Sequence, residues 1–166
     1  CVAETALSPL GINGVKTKMP IKGEIPLMNI SDDENDSIEW INKKIRELTD
    51  NGIKKDQITI LSVKGEGQSI YSNRTKIGNY SISSEKESGK ILFTTARKFK
   101  GLESDFILLV DVDAETFRDE EQKRLFYVGA SRARNRLFIT SVVSEVEEKQ
   151  MVRAITNGSY EKRMRL

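Results

Sequence analysis

Histidine is absent from this 166-residue chain, and cysteine occurs once, at Cys1. Without histidine the chain lacks the side chain that most often serves as general base and metal ligand near neutral pH. A zinc site needs several cysteine or histidine ligands and is excluded as well, so no metal ligands are expected. One cysteine cannot form an internal disulfide; this fits a reducing compartment, and a cytoplasmic location is expected. No apolar run approaches the roughly 20 residues that span a bilayer and no secretory leader is visible, so no membrane partner is expected. An excess of one charge is lacking too: 27 Lys and Arg face 25 Asp and Glu, a net charge of +2. So weak a bulk field cannot hold a polyanion, and any nucleic-acid surface must be local. A phosphate-cradling loop is also missing. The one Gly-Lys pair, Gly89-Lys90, has Ser84 where such a loop needs glycine and Ile91 where it needs Ser or Thr.

What remains is an ordinary globular composition, 37% hydrophobic and 31% charged, in a chain long enough to bury one core. Pro9, Gly11, Gly14, Pro20 and Gly23 break the first 23 residues into a connecting segment with a short helix remnant. The chain does not begin with Met, and its opening reads as a helix entered midway, so a longer parent protein is expected. Residues 24–166 are read as one domain.

Residues 24–30 (EIPLMNI) suit a strand, and Pro26 points to an edge. A helix follows, with Asp36 as its expected cap, Glu39 as the return contact, and Ile38, Ile41, Ile45 and Leu48 on one face. Asn51 and Gly52 end it. Residues 57–63 (QITILSV) read as a strand buried on both faces. A short helix is expected near residues 68–76 and a loop around 81–90. Residues 90–95 and 106–112 read as strands. Asp119, Glu120 and Glu121 open a further helix at the end that favours negative charge, with Leu125, Val128 and Gly129 on one face and Arg132 and Arg134 at its close. Residues 136–141 form a strand and 144–156 a last helix. Alternating helices and unalternated apolar strands define an α/β fold, a mostly parallel sheet with helices on both faces. Ligands of such sheets sit beyond the carboxyl ends of the strands, which directs attention to the loop after Thr95 and to Arg132.

Two clusters carry chemistry. Residues 95–105 (TARKFKGLESD) place a hydroxyl, three cations, a glycine and two carboxylates after a strand. Thr95 and nearby amides can donate to a phosphate, Gly101 admits close backbone approach, and Glu103 can accept from a sugar hydroxyl. A plain solvated connection has the same composition. Residues 124–134 (RLFYVGASRAR) put Arg132 at the end of an apolar-faced helix. A guanidinium there needs a partner. Asp111 or Asp113 could supply one, as could a phosphate, whose oxygens match the planar fork of arginine. The residues alone leave both readings open.

The segment from Thr95 through Lys100, Gly101, Leu102 and Glu103 to Asp105 resembles motif V of UvrD/Rep-type superfamily 1 helicases. Residues 125–134, followed by an apolar strand, resemble motif VI. The likeness is clear over residues 90–141 and extends more loosely to 57–63 and to the preceding strand and helix. It implies a RecA-like C-terminal motor domain in which Arg132 reaches the γ-phosphate of ATP as a catalytic arginine finger. Gly101 and Glu103 would lie beside the nucleotide, and Thr95, Arg97, Lys98 and Lys100 would contact single-stranded DNA. The sequence departs from the family in having Arg97 where a histidine is usual, and Val63, followed by Lys64, where an arginine is usual. With no phosphate loop and no convincing strand ending in paired carboxylates, the chain is expected to supply half of a composite site. ATP and Mg2+ would be bound in the full-length protein, with an N-terminal motor domain as partner, and neither by this chain alone. The alternative is a helicase-like module without ATPase function that only grips nucleic acid or a partner protein.

Overall fold

The computed structural model describes residues 26–149. Strand β1 (Leu27–Ser31) leads into helix α1 (Glu34–Asp50), and a 3-10 turn (Lys55–Gln57) introduces β2 (Ile58–Ser62). Strands β3 (Lys76–Ile77), β4 (Tyr80–Ser83), β5 (Ile91–Thr95) and β6 (Ser104–Val112) follow. A second 3-10 turn (Glu115–Phe117) then precedes helix α2 (Glu120–Ala130) and strand β7 (Ala133–Val142). The sheet order is β1-β7-β6-β2-β5-β4-β3, and every pair is parallel except β3 with β4. This is the expected α/β architecture. As Pro26 indicated, β1 is an edge strand, and all five residues of β2 are buried.

Parallel neighbours leave both faces of the sheet to be covered by helices, and the two cores divide accordingly. Ile41, Ile45 and Leu48 of α1 pack with Ile58, Ile60, Leu108, Val110 and Phe138 on one face. On the other, Phe126 and Ala130 of α2 pack with Leu61, Ile107, Leu109, Leu137 and Ile139. The spacing of three and four residues in α1 aligns its apolar side chains toward the sheet, and each buried aliphatic side chain contributes about 1.5–3 kcal/mol. Gly129 lets α2 sit close, since a Cβ there would lie 2.6 Å from Leu109 Cδ1.

Several local expectations need correction. Helix α1 is capped by Asp33, whose carboxylate accepts from the amides of Asn35 (2.5 Å) and Asp36 (3.4 Å). Asp36 therefore lies inside the first turn, where its charge still suits the helix dipole. No helix forms near residues 68–76. Successive turns run there instead, in which the Ser69 hydroxyl accepts from the Tyr71 amide (3.1 Å), and the tyrosine enters the core. The loop expected around 81–90 begins as β4, held by parallel pairing to β5. Helix α2 ends at Ala130, its buried stripe is Phe126, Gly129 and Ala130, and Arg134 belongs to β7. Residues 145–149 are helical, while the rest of the expected last helix and the expected N-terminal segment lie outside the described residues.

Candidate nucleotide and nucleic-acid surfaces

Because β5, β2, β6 and β7 all run the same way, each motif residue belongs to one of two opposite edges of the sheet. Thr95 closes β5 at the carboxyl edge, and the chain must return to the amino edge before β6 can start. Residues 96–103 make that return through consecutive turns. Glu103, immediately before β6, and Arg132, immediately before β7, therefore share the amino edge. The placement expected for Arg132, beyond the carboxyl ends, is corrected by this topology.

At the amino edge Ser104 pairs in register with Ala133, and the Ser104 amide donates to the Arg132 carbonyl at 3.1 Å. Glu103 and Arg132 are thus held side by side by backbone. Glu103 is exposed. Arg132 is partly buried, and its Nε is enclosed without a hydrogen-bond partner among the described residues. Neither carboxylate considered for it is engaged with it: Asp113 pairs with Lys64 (3.0 Å), and Asp111 accepts from the Ser62 hydroxyl (2.5 Å). The neighbouring Arg134 pairs with Asp105 (3.0 Å), which also accepts from Gln57 Nε2 (3.0 Å). Gly101, with φ +90°, turns the chain just ahead of Glu103, and no atom lies within 4 Å of where a Cβ would stand. A cavity of about 560 Å³ opens beside this edge, walled by Leu92, Phe99 and Leu102 and rimmed by Lys98, Glu103 and Arg134. Arg132 does not line it.

At the carboxyl edge the Thr95 side chain accepts from the Lys98 amide (3.3 Å), and the Thr95 carbonyl accepts from the Phe99 amide (3.0 Å), which folds the following segment into a turn. Arg97 and Lys98 project from that turn and are exposed, as is Lys100. Arg97 pairs with Glu121 of α2, and Lys98 with Glu66 at 2.8 Å. The Glu66 carboxylate lifts the Lys98 ammonium above its usual range. Lys64 belongs to the same edge. Burial works against ionisation of its partner Asp113, yet the Lys64 ammonium and the Thr116 amide and hydroxyl outweigh it and hold that carboxyl below the usual range. Between them, Asp111 adopts φ +63° at an irregularity in the β6–β7 register. Nothing in the local sequence marks Asp111 beyond its being a candidate partner for Arg132.

The structure thus gathers Thr95, Arg97 and Lys98 at one edge and Gly101, Glu103 and Arg132 toward the other. Glu66, Glu121 and Lys64 join the first group through contacts between segments distant in sequence. Among the described residues no group of three or more acidic, Cys or His side chains is arranged to hold a metal, and no helix is long and apolar enough to cross a membrane.

A mostly parallel α/β sheet with motif residues on its two opposite edges defines the class as RecA-like. In fold the chain is similar to the crystal structure of the C-terminal domain of a possible DNA helicase from Lactobacillus plantarum WCFS1. That match has a TM-score of 0.61 and 16% identity, and covers 74% of this chain and 77% of the other. Residues 90–140 match the UvrD-like helicase C-terminal domain. Over 108 residues, 65% of this chain, the sequence is 31% identical to an ATP-dependent helicase/nuclease subunit of Lactobacillus johnsonii (strain CNCM I-12250 / La1 / NCC 533). The chain spans 9% of the length of that relative. These matches make residues 90–140 similar to a UvrD-like helicase C-terminal domain.

Proposed function

We propose that this domain is the second motor domain of an ATP-dependent DNA helicase or translocase, with nucleotide chemistry at its amino edge and single-stranded DNA at its carboxyl edge. The observation that carries the reading is the pairing of Glu103 with Arg132 across the Ser104–Arg132 backbone bond, together with an enclosed Arg132 Nε that has no hydrogen-bond partner among the described residues. An unpaired, partly desolvated guanidinium is costly in an isolated domain, and a phosphate is the partner that its planar fork fits.

Arg132 then acts as the arginine finger, setting fixed positive charge against the γ-phosphoryl group as negative charge develops there. Glu103 accepts from a ribose hydroxyl. Gly101, free of side chain at φ +90°, allows close backbone approach at that place. The phosphate loop and Mg2+ belong to an N-terminal motor domain of the same protein; when bound, Mg2+ neutralises charge on the transferred phosphoryl group. At the other edge Thr95, Arg97, Lys98 and Lys100 meet backbone phosphates, a contact that ignores base identity and weakens with salt.

The test is Arg132→Ala in the intact protein, measured as DNA-stimulated ATP turnover. A finger of this kind is worth about 10³–10⁵ in rate, so a fall of at least about a thousandfold is expected, with DNA affinity preserved. Turnover within about threefold of the parent protein would remove Arg132 from the catalytic role.

A further inference from the structure

Two cations expected to meet DNA are already occupied, each by a carboxylate from a different segment. Glu66, on the loop after β2, holds Lys98 at 2.8 Å, and Glu121, in the first turn of α2, holds Arg97. Both acids are exposed, and among the described residues neither side chain has another hydrogen-bond partner. The third pair at this edge differs. Asp113 is partly buried and is also bound by the amide and hydroxyl of Thr116, so it has a structural task apart from Lys64. Lys100, exposed on the same turn, forms no ion pair among the described residues.

Stability does not explain the two exposed pairs, because such pairs shift an equilibrium by no more than about fivefold. The same weakness makes them exchangeable. A backbone phosphodiester carries one negative charge and presents two oxygens to a guanidinium or ammonium, as a carboxylate does. We propose that Glu66 and Glu121 are further determinants of the nucleic-acid surface, built-in competitors that occupy Lys98 and Arg97 until a strand phosphate displaces them. The inference rests on the reading that this edge binds single-stranded DNA. Its physical consequence is a surface held below its full affinity. Each phosphate contact is partly offset by release of a carboxylate, so a strand can be let go and re-engaged at a neighbouring phosphate.

The experiment measures binding of a fluorescein-labelled oligodeoxythymidine by the intact protein at low and high salt. Glu66→Gln, Glu121→Gln and the double substitution are compared with the parent. Glutamine preserves length and polarity at exposed positions, so folding is not at stake. Each single change is expected to tighten binding by about two- to fivefold at low salt. The double change should multiply the two gains, and screening should erase them above about 0.5 M salt. The gain from Glu66→Gln should vanish in a Lys98→Ala background, and that from Glu121→Gln in an Arg97→Ala background. Unchanged or weaker binding overturns the proposal. So does a gain of equal size in the alanine backgrounds, which would report general repulsion between acid and strand. If Arg97→Ala, Lys98→Ala and Lys100→Ala all bind like the parent, the nucleic-acid reading of the edge fails along with it.

Discussion

Asp111 offers the sharpest test of the packing argument at the carboxyl edge. It combines a left-handed backbone, φ +63°, with a carboxylate that accepts from the Ser62 hydroxyl at 2.5 Å. This bond ties the end of β2 to the end of β6. In Asp111→Ala, the Ser62 hydroxyl loses its acceptor, at about 1–3 kcal/mol. Alanine must also hold the left-handed conformation, at roughly 1–2 kcal/mol. Removal of a desolvated charge returns part of this, and a net loss of about 2–4 kcal/mol is expected. For a domain of this size that lowers Tm by roughly 5–15 °C. Asp111→Asn keeps a carbonyl acceptor on a side chain that tolerates φ > 0, and should stay within about 1 kcal/mol of the parent. The variants also separate by pH. Burial lifts the Asp111 carboxyl above the ordinary range, although Ser62, Ser69 and Lys64 pull it down. The native state therefore binds the proton more tightly than the unfolded state. This group's contribution is present at low pH and is lost as pH rises through the raised native value. Asp111→Asn should flatten that part of the stability profile. Urea unfolding can be followed by the single tryptophan, Trp40, whose ring lies 6.4 Å from Phe138. An unaffected alanine variant, or an asparagine variant as damaged as alanine, would refute the reasoning.

Other consequences follow from the two cores. Phe126→Ala removes a side chain that is 3% exposed and meets Phe117 edge to face at 5.5 Å; a loss of about 3–5 kcal/mol is expected in the same urea assay. The hydroxyl chain between the sheet and α1 should respond unequally. Ser37 contacts both Tyr71 OH and Thr140 Oγ1 at 3.0 Å. Tyr71→Phe leaves Ser37 with a partner and should cost about 1 kcal/mol, whereas Ser37→Ala strands the buried Tyr71 hydroxyl, leaves Thr140 only its 3.5 Å contact with Asn29, and should cost about 2–3 kcal/mol. Equal losses would mean that the chain does not act as a unit.

Much of the fold is legible in the sequence because the strands are buried on both faces. The run ITILS in β2 and the apolar stretch of β6 have no polar alternation, which selects a covered parallel sheet and fixes the strand–helix order. The segments that depart from expectation are those where local chemistry competes. Asp33 and Asp36 are both competent caps, and the first of them wins because its carboxylate reaches two amides. Residues 68–76 have helix-permitting composition, but Ser69 bonds the Tyr71 amide and the chain turns tightly to bury the tyrosine. Strand β4 is four residues long and mostly polar, and its pairing with β5 on one side and β3 on the other makes it a strand. The ion pairs of Glu66 and Glu121 join segments 32 and 24 residues apart and leave no local pattern to find.

The edge assignment is within reach of the sequence once the crossing of the sheet is taken into account. Ligands gather beyond the carboxyl ends of parallel strands, but a motif joining two parallel strands must traverse the sheet, so its two ends cannot share that edge. Any residue directly before a strand of such a sheet lies at the amino edge. Glu103 and Arg132 meet that condition, with Gly101 two residues ahead of Glu103, while Thr95, which closes a strand, lies at the other edge. The five residues of β5 put the edges roughly 16 Å apart at about 3.3 Å per residue. Residues 96–103 are thus a physical link from the proposed strand-binding edge to the proposed nucleotide edge, and they pack by Phe99 into the core beneath α2. This turn joins Glu103 to Arg97 and Lys98, the two cations whose carboxylate partners sit on neighbouring elements.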